Sequence, residues 1–250
     1  MRRLPHDVSE LPDAEQMAGR RVRFEASLAG GYSNNAAATP SHRIGAASVT
    51  PGLGIDIAPG SFGGWSVGAG ALADGDYYSG EHNDDLAEGR LEGFLFAEHP
   101  LGDGALTLEL IALGVFSDDF SDRQFWLGIA DATYEHKIGP FDTEVSAEYQ
   151  DSDVPELQRT RLTGALAHTL ERSRLGYTLT FEGDVAFSDF NGGANANRND
   201  VTAALAMIAE RTLSNGFQVE GEAAFVKRFS NREPSRFSAV EVSVKVSRAF

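Results

Sequence analysis

Residues Ser238 to Phe250 read SAVEVSVKVSRAF, and valines at 240, 242, 244 and 246 alternate there with Glu241, Ser243, Lys245 and Ser247. A period of two puts all four valines on one face of a strand and the polar residues on the other. The stretch finishes on an aromatic, Phe250, where chain ends ordinarily fray and need no anchor. Both faces of this strand, and the ring at its end, therefore need something to touch.

The same period recurs upstream. In VRFEASLAGGY, Val22, Phe24, Ala26, Leu28 and Tyr32 share one parity, with Arg23, Glu25 and Ser27 on the other. LGIDI aligns Leu53, Ile55 and Ile57, and WSVGAGALADGDYY aligns Trp65, Val67, Ala69 and Ala71. Comparable segments follow at RLEGFLFAE, ALTLELIALGVF, FWLGIADATYEH, FDTEVSAEYQ, TRLTGALAHTL, GYTLTFEGDVAF, VTAALAMIAER and FQVEGEAAFVKRF. Glycine-rich punctuation separates them, giving about twelve strands. Pro51, in SVTPGLGIDI, removes a ladder donor, so the second strand is expected to bulge there or to begin at Gly52.

The connections alternate in length and polarity. APGSFGG, HPLGDG, KIGP, ERSRLG and TLSNG are turn-like, whereas NNAAATPSHR, SGEHNDDLAE, SDDFSDRQ, DSDVPELQR, SDFNGGANANRND and SNREPSR are generally longer and strongly polar. A meander with short turns at one end and long loops at the other is an all-β, antiparallel up-and-down layout of the transmembrane-barrel kind.

On these segments, loops and the terminal aromatic strand, residues 21–250 resemble the Gram-negative outer-membrane β-barrels. The resemblance implies a bacterial outer-membrane location, contact with outer-membrane lipid, and a role for Phe250 as the signal read by the barrel-assembly machinery. SLAGGYSNNAAATP also resembles the first hairpin of barrels attached to periplasmic repeat domains in exopolysaccharide or lipoprotein export. Residues 1–20, with Ser9 or Asp13 as helix caps, are expected to form a periplasmic lead-in or plug. They carry basic residues but lack the apolar run of a signal peptide.

With the apolar parity facing lipid, the other parity lines an interior. Its acidic members are Glu25, Asp56, Glu92, Glu109, Asp131, Glu135, Glu144, Glu148, Glu182, Asp184, Glu220, Glu222 and Glu241, and its basic members are Arg23, Arg161 and Lys245. That excess predicts a negative lumen, and acid-lined pores favour cations. Phe94, Phe96, Ile111 and Leu113 also fall on the inward parity, so apolar side chains are expected to plug part of the lumen. Aromatics at segment ends, among them Tyr32, Trp65, Tyr77, Trp126, Tyr149, Phe217, Phe229 and Phe237, fit interfacial girdles.

Composition narrows the function classes. A net charge of −16 repels a phosphate backbone, so nucleic acid is not an expected partner. The absence of cysteine excludes disulfides, zinc-thiolate sites and a thiol nucleophile. No cofactor or metal-ligand spacing is found; the acidic stretches EHNDDLAE and SDDFSD lack the regular pattern of a calcium loop.

The sequence therefore points to a passive, cation-preferring channel, or the pore of an export apparatus, passing small solutes or an exported substrate. Two rivals stand beside it. An enzyme on the same barrel, a protease or lipid hydrolase, would draw on His82 beside Asp84 and Asp85, or on His168; His42, His99 and His136 suggest no chemistry. A soluble all-β ligand-binding protein would place the apolar parity in a core.

Overall fold

The computed structural model describes residues 22–38, 44–79, 86–170 and 176–250. The expected lead-in over residues 1–20, and His42 and His82, lie outside them. Twelve strands are present among the described residues: β1 (Val22–Ser33), β2 (Ala46–Phe62), β3 (Trp65–Tyr78), β4 (Glu88–Leu101), β5 (Gly104–Phe116), β6 (Arg123–Ile138), β7 (Phe141–Ser152), β8 (Arg159–Leu170), β9 (Thr178–Phe190), β10 (Arg198–Thr212), β11 (Phe217–Ser230) and β12 (Phe237–Ala249). Each pairs antiparallel with its sequence neighbours, and β1 pairs with β12, closing the sheet into a barrel. Closure leaves no unpaired edge. At the seam Phe250 N–H donates to Phe24 O at 2.8 Å and Phe24 N–H returns a bond to Phe250 O at 3.4 Å.

Short turns and both strand termini share one end. Tight reversals there require left-handed backbone, supplied for example by Gly63 (φ 59°) and Gly139 (φ 61°). Longer connections crowd the opposite end, and three of them carry short 3-10 turns, at Pro155–Leu157, Gly193–Asn195 and Glu233–Ser235.

Alternation sorts the side chains as the period of two requires. Leu53 and Leu205 are 67% and 65% exposed, and Val240, Val242, Val244 and Val246 are all exposed on the outside. The apolar parity thus forms an external belt, and a packed core built from it is excluded. So large an apolar surface is the signature of contact with lipid. Aromatics flank the belt: Tyr32, Tyr77, Trp126, Tyr149 and Phe229 are exposed on the loop side. Phe237 departs from the expected girdle, being 6% exposed inside the barrel, with its ring 4.6 Å from the Arg228 guanidinium.

Pro51 neither ends nor bulges β2. Its ladder with β1 is continuous through Leu28↔Pro51, while the ladder with β3 passes from Val49↔Tyr77 to Gly52↔Asp74 without a change of register. The missing N–H therefore falls on the β3 side, where the Thr50 hydroxyl donates to Asp76. The register shift in β2 comes later, between Ile57 and Gly60, in the segment containing Pro59.

Inside, an apolar cluster of Phe94, Phe96, Ile111, Leu113, Val115, Leu127 and Ile129 fills the wall formed by β4, β5 and β6. Phe125 and Leu157 pack against it, Leu157 coming from the β7–β8 connection. Phe96 and Phe94 stand opposite Gly68 and Gly70 of β3, and their rings cover these glycines closely enough that a side chain there would collide with them.

Candidate functional site in the lumen

The interior divides along the barrel axis. On the short-turn side lies a cavity of about 720 Å³. Its walls carry eleven carboxylates, from Asp103, Glu109, Asp131, Glu135, Asp142, Glu144, Glu148, Glu182, Asp184, Glu222 and Glu241, against two permanent cations, Lys137 and Arg161. Small side chains between them, including Ala165, Ala204, Ala206 and Ala224, leave the space that water-filled lumens need.

Register explains how these charges meet. Glu109 pairs with Asp131, Asp131 with Glu148, and Glu148 with Arg161, so one inward row crosses β5 to β8. Like charges directly opposite one another are destabilising, which marks this row as a place that favours a counter-cation. Glu109 is 3% exposed, and its Oε1 is buried without a hydrogen-bond partner. Glu144 and Glu182 sit opposite Ala165 and Ala167, lower in the same cavity.

The remaining inward residues named from sequence lie at other positions. Arg23 donates to Glu25 at 2.5 Å and stands opposite Asp56 near the short-turn rim. Glu220 is registered with Lys245. Phe250 lies on the outside at the seam, 55% exposed, with Arg248 5.2 Å from its ring.

Four inward arginines escaped the sequence reading. Arg90 of β4 is held by Asp74 at 2.6 Å and Asp76 at 3.4 Å. Arg159 donates to Glu148 at 3.0 Å, and Arg198 to Asp200 at 2.7 Å. Arg228 approaches Asp200 at 3.8 Å. All occupy the loop-side ends of their strands; parity with Glu92 and Glu222 is the signal that finds Arg90 and Arg228, while Arg159 and Arg198 fall in stretches that read as loop. The lumen is thus acidic towards the turns and arginine-rich towards the loops.

Connections at the loop side are tied together. Glu156 Oε1 accepts from Ala194 N–H at 3.1 Å, which holds this exposed carboxyl below its ordinary range. Asn195 donates to Glu156 O at 2.8 Å, and Arg232 donates to Ala194 O and to Ala196 O.

Of the described histidines, His136 lines the cavity, while His99 and His168 sit at the short-turn rim. His99 stacks on Trp65 at 4.9 Å with Nδ1 2.9 Å from Gly64 O, and His168 sits 5.3 Å from the Phe141 ring with Nδ1 2.9 Å from Pro140 O. Among the described residues no group of three or more His, Asp or Glu side chains is arranged to hold a metal ion.

Neither a protein-family model nor a curated protein matches the sequence. Among solved structures, the fold is similar to an outer membrane channel from Pseudomonas putida F1, with TM-score 0.60 and 10% identity over 92% of this chain and 95% of that one. It is also similar to the KdgM porin in complex with disordered oligogalacturonate, with TM-score 0.52 and 8% identity over 90% and 99%. A third likeness is to a bacterial polysaccharide outer membrane secretin, with TM-score 0.52 and 12% identity over 91% and 98%. The chain has the fold of the bacterial outer-membrane β-barrels. More particularly it is a closed barrel of twelve antiparallel strands, similar in fold to porins and channels.

Proposed function

We propose that this protein is an outer-membrane channel that prefers cations, inserted by the barrel-assembly machinery and passing small solutes. The observation that carries the reading is the cavity wall, with eleven carboxylates against two permanent cations. Fixed negative charge in a low-dielectric enclosure concentrates cations and excludes anions. The apolar cluster on β4–β6 takes up interior space beside this cavity and towards the loops, which predicts a small unit conductance.

Planar-bilayer recording of the purified barrel in a salt gradient tests this. The zero-current potential should lie on the cation side and approach the non-selective value as ionic strength rises and the Debye length falls from about 10 Å at 0.1 M to about 3 Å at 1 M. Neutralising Glu135, Glu144, Glu182 and Asp184 together should move it the same way at low salt. An anion-selective parent would overturn the reading.

A further inference from the structure

The arginines at the loop-side end are more numerous than the acids that hold them. Arg159, Arg161, Arg198 and Arg228 occupy β8, β10 and β11, and the cross-strand register puts them within three successive inward rows. One row runs Arg159↔Phe190↔Arg198; the next runs Arg161↔Ser188↔Asp200; in the third Thr202 pairs with Arg228. Arg228 lies within electrostatic reach of the other three. Among the described residues two carboxylates bond into the group directly: Glu148 to Arg159, and Asp200 shared by Arg198 and Arg228. Glu148, registered directly opposite Arg161, acts on it as well, and Asp184 and Asp131 do so from the cavity side.

Four guanidinium groups packed together away from bulk water repel one another, and the cost is relieved only by negative charge placed among them. Asp200, 2% exposed, supplies part of it. The buried Nε of Arg161 makes no hydrogen bond to any described group, and the buried Nε of Arg228 has only the long 3.8 Å approach to Asp200 Oδ2. A buried donor left unmet is costly. Rigid guanidinium forks match the paired oxygens of an oxyanion. Phe190 and Phe237 hold the planes of Arg198 and Arg228, with the guanidinium carbons 3.8 Å and 4.6 Å from their ring centres, which fixes those forks in orientation.

We propose that these four arginines form an internal binding site for a multiply charged oxyanion of the phosphate or sulfate class, at the loop-side end of the lumen. The site rests on the barrel fold and not on the channel reading. Together with the acidic cavity it makes the lumen bipolar, with the anion bound where Arg161 borders that cavity.

The test is isothermal titration of the folded, detergent-solubilised full chain with inorganic phosphate and with sulfate, ionic strength being held constant with sodium chloride. The parent should show saturable binding of one anion per barrel. Arg161→Gln and Arg228→Gln should each weaken it about tenfold or more, the loss expected for one charge-assisted hydrogen bond in a buried site. Arg228→Lys, which keeps the charge without the fork, should fall between. Arg211→Gln, at the Tyr177 ring, should bind like the parent. Heat-modifiable gel migration verifies that each variant is folded. A parent with no saturable heat for either anion overturns the proposal without recourse to variants. Equal affinity in parent and Arg228→Gln also overturns it, by placing the anion elsewhere. Channel selectivity measured in chloride is a separate readout, so failure here and failure of the channel reading are distinguishable.

Discussion

Phe94 stands directly opposite Gly70 on the neighbouring strand, and its ring occupies the space that a Gly70 side chain would need. A large inward residue of β4 thus closes over a bare stretch of β3, beside the apolar plug that β4, β5 and β6 carry inside a lumen otherwise lined by charge. Phe94→Ala should raise single-channel conductance while lowering stability by about 3–5 kcal/mol, the usual cost of emptying a buried aromatic position. Gly70→Val should destabilise without widening the pore, because the ring is displaced and not removed. Conductance of Phe94→Ala no greater than that of the parent would show that ion passage is limited elsewhere.

Leu205 lies at the middle of β10, paired with Phe225 on one side and Gly183 on the other, and its side chain is among the most exposed in the barrel. If this is the lipid midplane, Leu205→Arg should cost about 2–4 kcal/mol of folding stability in a bilayer, whereas the same change nearer a rim costs much less. Urea titration of parent, Leu205→Arg and Phe229→Arg in lipid vesicles measures the contrast. Equal costs at the two depths would contradict the belt.

Barrel, strand count and loop asymmetry were legible because each is local: alternation shows within ten residues and a turn within four. The apolar plug was legible for the same reason, as Phe94, Phe96, Ile111 and Leu113 break the polar parity of their strands. Arg159 and Arg198 were not, because β8 to β10 extend beyond the lipid belt, where both faces are polar and the period of two disappears into what reads as loop. Arg90 and Arg228 shared a parity already assigned inward and needed only the alternation carried to the strand ends. Pro51 misled for a different reason: a proline costs one donor, and a strand within a closed sheet keeps its other ladder intact.

In the β5–β6 connection, Asp119 accepts bonds from the Ser117 hydroxyl at 2.6 Å, the Ser121 hydroxyl at 2.7 Å and Ser121 N–H at 3.0 Å. These, the Ser117 bond foremost, hold its carboxyl down at about 2 from an ordinary 3.8. A lowered folded value means that this loop's stabilisation is complete above the ordinary value and fades as pH falls towards 2. Carbon-13 NMR of the Asp119 carboxyl should show a midpoint near 2 in the parent, and Ser117→Ala should raise it. A midpoint in the ordinary range for the parent would dissolve the network. The same bonds engage the carboxylate that the acidic run SDDFSD would otherwise offer to calcium.

One experiment can separate the backbone part of Phe250 in the seam from the part in assembly proposed for its ring. Its backbone exchanges both hydrogen bonds with Phe24 across the seam, and its ring, exposed on the outside, shares the Arg248 guanidinium with Phe217 at 5.2 Å and 5.1 Å. A backbone role is kept by any residue at 250, whereas a signal read by the assembly machinery depends on the ring. Phe250→Ala should therefore leave the stability of refolded barrel within about 1 kcal/mol of the parent, as surface changes generally do, yet reduce the membrane-inserted yield in cells. Phe250→Tyr should restore that yield, and deletion of the residue should lower both quantities by removing the last seam bonds as well. Inserted yields that are the same for parent, Phe250→Ala and the deletion would leave the terminal ring with no part in assembly. A loss of refolded stability in Phe250→Ala as large as in the deletion would assign its effect to the seam.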